Sequence, residues 1–251
     1  MPSTISGERI YAIGDVHGRL DLLQKMLDRI GAHSDERPAP RALHLVFLGD
    51  LVDRGPDSAG VLALVHDLQR RNGQVLALMG NHEEAMVQAL DGDEDMLRTW
   101  LAVGGMETLA SFDVAPPQPG EPSRAFLRRA RRAIPAPWLS WLAGLPLSAE
   151  SGDYFFAHAG VRPGIPLHRQ ARRDLLWIRE DFLEDPRDHG AVVVHGHSVT
   201  RTADRRANRI GIDTGAYRSG TLTAIYLEDD RQEILSVSAA PAPFRDGAAR
   251  R

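Results

Sequence analysis

Three short apolar runs open the chain: Arg9 to Ile13, Leu43 to Leu48 and Val75 to Met79. The second is almost unbroken, the pattern of a strand covered on both faces. Between the runs the apolar period changes. Leu20, Leu23, Leu27 and Ile30 recur every three or four residues across Arg19 to Ile30. Val61, Leu62, Val65 and Leu68 do the same across Ser58 to Arg70. Both segments are predicted helices with one buried stripe. Arg37 to Pro40 reads as a loop. The order strand-helix-strand-helix-strand implies parallel strands joined by right-handed crossovers.

From Glu83 to about Leu145 the strand signal vanishes. Ala85–Leu90, Glu94–Phe112, Ser123–Ala133 and Ala136–Ala143 read as helices, and the four prolines of Val114–Pro122 mark a loop. This block, about 84–145, is predicted to be a helical insert in a single domain spanning 1–238. Strands are predicted again at Tyr154–Ala157, Ala191–His195, Arg209–Asp213, Leu222–Glu228 and Glu233–Ser238. Their shortness and the turns between them suggest a second, more antiparallel sheet. Residues 239–251, rich in Ala, Pro and Arg, read as a disordered tail.

Composition narrows the function classes. The chain has 251 residues, 43% hydrophobic and 25% charged, which suits an ordinary globular domain. Its net charge of -4 leaves no basic footprint for nucleic acid. There is no cysteine, so neither disulfides nor zinc-thiolate sites can form. The polar Met1–Arg9 segment has no apolar leader core, and no run is long enough to cross a bilayer. A cytoplasmic protein without membrane contact is the expectation.

The chemistry sits where strands end. Gly14-Asp15-Val16-His17-Gly18, Gly49-Asp50-Leu51-Val52-Asp53-Arg54-Gly55 and Gly80-Asn81-His82-Glu83 follow the first three strands. His158-Ala159-Gly160 and His195-Gly196-His197 follow two later ones. Open α/β folds build their sites at that edge. Any one of these pieces alone reads equally as turn chemistry: an Asp satisfying loop donors, an Asn capping a helix. Five together read as a metal centre. Asp15, His17 and Asp50 could serve one ion; Asp50, Asn81, His158 and His197 another. Carboxylate and imidazole ligands with open positions suit manganese, iron or zinc better than calcium or magnesium. A pair of such ions can clamp the oxygens of an in-line phosphoryl displacement. Arg54 offers a planar fork to phosphate oxygens, and His82, beside the ligands, suits a general acid. Asp213, after a late strand, reads as a turn residue or as a group behind the ligands.

At these residues the chain resembles the phosphoprotein phosphatase family of serine/threonine phosphatases, nearer its bacterial and bacteriophage lambda branch, from about Arg9 to Glu228. The resemblance implies a calcineurin-like metallophosphoesterase fold, with two packed mixed β-sheets flanked by helices. It implies two divalent metal ions, manganese first, with Asp15, His17 and Asp50 on one and Asp50, Asn81, His158 and His197 on the other. It makes Arg54 and Arg179 the phosphate clamps, and His82 the proton donor supported by Asp53. Arg162 is a candidate substrate contact or the start of a turn. His195 and His197 could exchange roles. The implied reaction is hydrolysis of phosphoserine and phosphothreonine, with phosphotyrosine a further substrate, by direct attack of hydroxide made at the ion pair. The implied partners are phosphorylated proteins or peptides. The alternatives are a symmetrical diadenosine tetraphosphatase or other small-molecule phosphoesterase and, in a different class, a catalytically silent binding module.

Overall fold

In the computed structural model, residues 1–239 are described; the expected tail lies, beyond Ala239, outside them. Strands β1 (Glu8–Ile13), β2 (Ala42–Phe47) and β3 (Val75–Ala77) alternate with helices α1 (Leu20–Asp35) and α2 (Ser58–Arg71). Both strand pairs are parallel, with Tyr11 opposite Leu45 and Val46 opposite Leu76. Five helices follow: α3 (Asn81–Leu90), α4 (Glu94–Trp100), α5 (Met106–Ser111), α6 (Ser123–Ala133) and α7 (Ala136–Ala143). Next come β4 (Ser148–Ser151), β5 (Tyr154–Ala157), α8 (Arg172–Trp177), α9 (Glu180–Leu183), β6 (Val192–His195), β7 (Asp204–Arg205) and β8 (Arg209–Gly211). The described part closes with α10 (Ala216–Ser219), β9 (Thr221–Glu228) and β10 (Arg231–Ser238).

The strands form two five-stranded mixed sheets, ordered β10-β9-β1-β2-β3 and β4-β5-β6-β8-β7. Successive residues of a strand point to opposite faces, and here both faces are covered. Ile10, Ala12, Val46 and Leu48 meet Tyr154, Phe156, Val194 and Ile210 between the sheets. Tyr11, Ile13, Leu45 and Phe47 face α1 and α2 through Leu22, Leu23, Val61 and Val65. Phe155, Ala157 and Val193, on the outer face of the second sheet, pack against Leu175, Ile178 and Phe182. Two covered faces explain why these strands lack polar alternation, and each fully buried Leu, Ile or Phe contributes about 1.5–3 kcal/mol.

The later strands do not all build a second, more antiparallel sheet. β9 pairs antiparallel with β1, Tyr11 opposite Tyr226, and carries β10 to the edge of the first sheet. The cause is its alternation: Ala224 and Tyr226 fill the helix-side core while Ile225 and Leu227 fill the space between sheets. The centre of the second sheet is parallel, β5 to β6 to β8. Its antiparallel members, β4 and β7, are edge strands that the apolar pattern missed.

The predicted helix from Glu94 to Phe112 is also interrupted. A π-type turn at Leu101–Gly105 separates α4 from α5, with Gly104 at φ 128°. A Cβ at Gly104 would lie 2.7 Å from the Arg54 backbone nitrogen, and the Gly104 carbonyl accepts from that nitrogen at 3.2 Å. The break lets the helical segment touch the loop after β2. Trp100 and Leu109, on either side of it, belong to the core of the first sheet. Gly104→Ala forces a side chain into a left-handed position against backbone and is expected to cost about 2 kcal/mol; an unchanged urea midpoint would contradict this.

Candidate metal centre

The carboxyl ends of β1, β2, β3, β5 and β6 meet at one edge of the sandwich. There the backbone is strained. Of seven non-glycine residues with positive φ among the described residues, five are His17, Asp50, Asp53, Arg54 and His197. Each such residue costs on the order of 1–3 kcal/mol and persists only where its surroundings over-determine it. Glu83 supplies much of that determination. Its buried carboxylate accepts from the backbone N–H of Asp50 at 2.8 Å, Leu51 at 2.8 Å, Val52 at 3.2 Å and Gly80 at 2.9 Å. One side chain thus fixes the loops after β2 and β3 together.

Asp50 is the centre of the arrangement. His158 Nε2 lies 3.4 Å from one of its oxygens; His17 Nε2 at 3.5 Å and His82 Nε2 at 3.9 Å face the other. Two sets of potential ligands share it: His17, Asp50 and His82 form one, and Asp50, His158 and His197 the other, with the ligand atoms of each set within 4.8 Å of one another. Asn81 Oδ1 lies 2.9 Å from His158 Nε2 and 2.8 Å from His197 Nδ1. Asp15 stands to the side, where its oxygens accept the His197 backbone N–H at 3.2 and 3.1 Å.

The tautomers show what the cluster fits. His158 Nδ1 is 2.8 Å from the Leu48 carbonyl and His17 Nδ1 is 2.8 Å from the Val52 carbonyl. A carbonyl only accepts, so each Nδ1 carries the proton and each Nε2 presents a lone pair. Burial lowers the pKa of both rings, keeping them neutral. The His158 lone pair therefore faces two further acceptors, Asn81 Oδ1 and an Asp50 oxygen. Lone pairs converging in a buried space suit a cation, and orientation of imidazole ligands by backbone carbonyls is the usual support of metal sites. His197 Nε2 is buried with no partner, and burial depresses that ring to about 2.

The carboxylates point the same way. Burial, Asp213 and Asp50 raise Asp15 well above its ordinary value; burial and Asp50 raise Asp213 to about 6. Glu83 is pushed up to about 7 by burial and by Asp50, against the N–H groups that favour its anion. Asp50 differs: burial raises it, yet the surrounding rings, of which His82 is the one whose own pKa is raised, pull it below its ordinary value. Ionising these crowded carboxylates together would build an excess of negative charge that divalent cations would offset.

His82 stands apart from the other imidazoles. Its Nδ1 lies 2.6 Å from an oxygen of Asp53. Burial opposes its charge, yet Asp50 and the Asp53 hydrogen bond raise its pKa. Asp53 is itself gripped from the helical segment: Trp100 Nε1 donates to both carboxylate oxygens at 3.0 Å, and Thr108 Oγ1 donates to one at 2.6 Å.

A cavity of about 310 Å³ opens over the cluster, lined among others by Asp50, Arg54, Asn81, His82, Arg179 and His197. Arg54 Nη1 donates to His17 Nε2 at 2.9 Å, and its guanidinium lies 4.8 Å from the centre of the Tyr217 ring. Arg162 is not brought to this cavity. It pairs with Asp174 at 2.7 Å and with Asp181, and lines an adjoining space. His197 joins the ligands, whereas His195 packs edge-on to Phe182 with ring centres 5.1 Å apart. Asp213 is both things the sequence allowed: it accepts from the Gly215 N–H at 2.8 Å and is buried beside Asp15. Sequence reasoning gave no part to Glu83, Trp100, Thr108 or Tyr217. Glu83 had a signal, as the third residue of a helix capped by Gly80. Trp100 and Thr108 reach Asp53 across 47 and 55 residues, a separation that no local pattern carries.

The sequence pattern of the calcineurin-like phosphoesterase family matches residues 8–224. The chain belongs to that family. It is 31% identical to the serine/threonine-protein phosphatase 1 of Salmonella typhimurium over 222 residues, 85% of this chain and 89% of that one. It is 26% identical to the asymmetrical bis(5'-nucleosyl)-tetraphosphatase of Anoxybacillus flavithermus over 85% of this chain and 88% of the other. A solved structure described as a candidate diadenosine tetraphosphatase shares the fold with a TM-score of 0.65 at 21% identity, covering 95% of this chain and 99% of that one. The chain is a metallophosphoesterase, and relatives of both substrate classes stand near it.

Manganese at a hundred times its dissociation constant is expected to stabilise the fold by about 2.7 kcal/mol, seen as a rise in melting temperature. Asp50→Ala should abolish the rise and Asn81→Ala should reduce it. An equal rise in the Asp50 variant would contradict the shared-ligand arrangement.

Proposed function

We propose that the chain is a dinuclear-metal phosphomonoesterase acting on phosphoserine and phosphothreonine in proteins, with phosphotyrosine as a further substrate. The observation that carries the proposal is the His82–Asp53 pair, buried at 2.6 Å beside two sets of potential ligands that share Asp50, with His82 lining the same cavity as Arg54 and Arg179. The ligands would be Asp15, His17 and Asp50 on one side and Asp50, Asn81, His158 and His197 on the other, with manganese the first choice and iron or zinc as alternatives. Bound there, two divalent cations supply Lewis acidity: they activate water and draw charge from phosphoryl oxygens. An intact cluster of this kind weighs against a silent binding module.

The protein's own groups do the rest. Arg54 and Arg179 hold the non-bridging oxygens from the cavity wall and offset the charge that grows on them. A cation on His17 Nε2 would take the lone pair that Arg54 now holds, leaving that guanidinium to the substrate. Asp53 fixes the proton on His82 Nδ1 and favours the charged ring, so Nε2 can donate a proton to the leaving oxygen. A protonated imidazole has no lone pair to give a metal, which separates His82 from the ligands although it stands among them.

Support for protein substrates comes from the similarity to serine/threonine-protein phosphatase 1, which spans most of both chains. One observation favours the second reading, hydrolysis of dinucleoside polyphosphates. An adjoining cavity of about 520 Å³ shares Arg179 and is lined by Trp177, a 38% exposed residue whose indole N–H donates to Glu84 at 2.7 Å and which could offer an aromatic face to a base. Assay of the manganese-loaded protein on phosphoserine and phosphothreonine peptides and on diadenosine tetraphosphate separates the two. Turnover of the dinucleotide alone would overturn the protein-phosphatase reading.

His82→Ala is expected to lower kcat on phosphoserine peptides by roughly 10²–10⁴-fold and on p-nitrophenyl phosphate, whose leaving group needs no proton, far less. Trp100→Phe, which keeps an aromatic side chain in the core and removes the Nε1 donor to Asp53, should show the same asymmetry in smaller measure. Equal losses on both substrates would remove the proton-donor role from His82.

A further inference from the structure

We infer that Arg218 forms a subsite for a second anionic group on the substrate, a carboxylate or phosphate carried two or three residues from the phosphorylated side chain. The inference rests on the protein-phosphatase reading above and adds a determinant of substrate choice to it.

Arg218 lines the cavity that holds Asp50, His82, Arg54 and Arg179, yet it is not needed for the reaction assigned to them. Two arginines suffice to hold the non-bridging oxygens of one phosphoryl group. A third cation on the same wall is surplus for a simple monoester. Its placement is built into the turn. The short helix α10 is bounded by Gly215 and Gly220, both left-handed at φ 67° and 71°. A Cβ on Gly215 would stand 3.2 Å from Arg218 Nε and 3.5 Å from its Cγ. The bare glycine therefore leaves room beside it for the arginine stem, and the same Cβ would stand 2.9 Å from Val199 Cγ1.

The charge of Arg218 is also unspent. Several other arginines are matched by carboxylates: Arg162 by Asp174 and Asp181, Arg172 by Glu84, Arg187 by Asp185. Among the described residues, Arg218 has no carboxylate partner. Its guanidinium instead lies 5.9 Å from the centre of the Tyr217 ring, the ring that holds the Arg54 guanidinium at 4.8 Å. Tyr217 is thus a spacer between the cation assigned to the reacting phosphoryl group and a cation with no assigned anion. Those two ring distances limit the separation of the guanidinium groups to what an extended peptide, advancing about 3.3 Å per residue, covers in two or three residues. Arginine in this geometry takes a carboxylate or phosphate through paired N–H groups.

The test compares two phosphothreonine peptides under manganese, one with aspartates two and three residues from the phosphothreonine on either side and one with alanines there. The wild-type protein is expected to favour the acidic peptide in kcat/KM by about tenfold, the lower range for one charge-assisted hydrogen bond, mostly through KM and less so at high salt. Arg218→Ala should bring the ratio near one, and Arg218→Glu should reverse it for a peptide flanked by lysines. Equal turnover of both peptides by the wild type, or an unchanged ratio in Arg218→Ala, would overturn the subsite alone. Turnover of diadenosine tetraphosphate with neither peptide cleaved would overturn the protein-phosphatase reading and the subsite in its peptide form with it.

Discussion

The site depends on one carboxylate held where it should not be comfortable. Asp50 is buried, has a left-handed backbone at φ 50°, and is ringed by imidazoles from four separate elements. Nothing local would keep it there. Glu83 clamps its backbone N–H from α3 while His158 reaches it from the second sheet and His17 from the loop after β1. The two sheets are therefore tied at this edge through side chains, and between the sheets through their apolar core. The strain in five loop residues is tolerable because each belongs to this mutual bracing.

That bracing extends to the helical segment between β3 and β4. Its core residues Trp100 and Leu109 continue the core of the first sheet, and its π-type turn lays Gly104 against Arg54. Trp100 and Thr108 then hold Asp53, and Asp53 holds His82. A segment that contributes no metal ligand thus governs the orientation of the imidazole proposed to deliver the proton. The chemistry is carried by residues at strand ends, and its geometry by residues packed behind them.

Much of this was legible in the order of residues. The apolar runs marked β1, β2, β3, β5 and β6, and polar residues at their ends marked Asp50, Arg54, Asn81, His82 and His197 among the side chains that line the cavity. What sequence could not show falls into two kinds. Pairing partners are non-local: β9 reads as one more late strand until its antiparallel register with β1 places Ile225 and Tyr226 in two different cores. Supporting contacts are non-local too, as with Trp100 and Asp53. Arg162, a candidate substrate contact or turn residue from its sequence, is instead paired with Asp174 and Asp181 outside the cavity over Asp50. His195 and His197 differ by two positions and could have exchanged roles; the turn through Gly196 sends His197, the expected ligand, to the cluster and leaves His195 against Phe182.

On the proposed reading, Asp50 is shared between two cations. Anomalous diffraction from crystals grown with manganese tests it directly. Two peaks roughly 3.5–4 Å apart, each within bonding distance of an Asp50 oxygen and one of them against His158, are the predicted result. A single peak, or a pair that leaves Asp50 unbound, would contradict it.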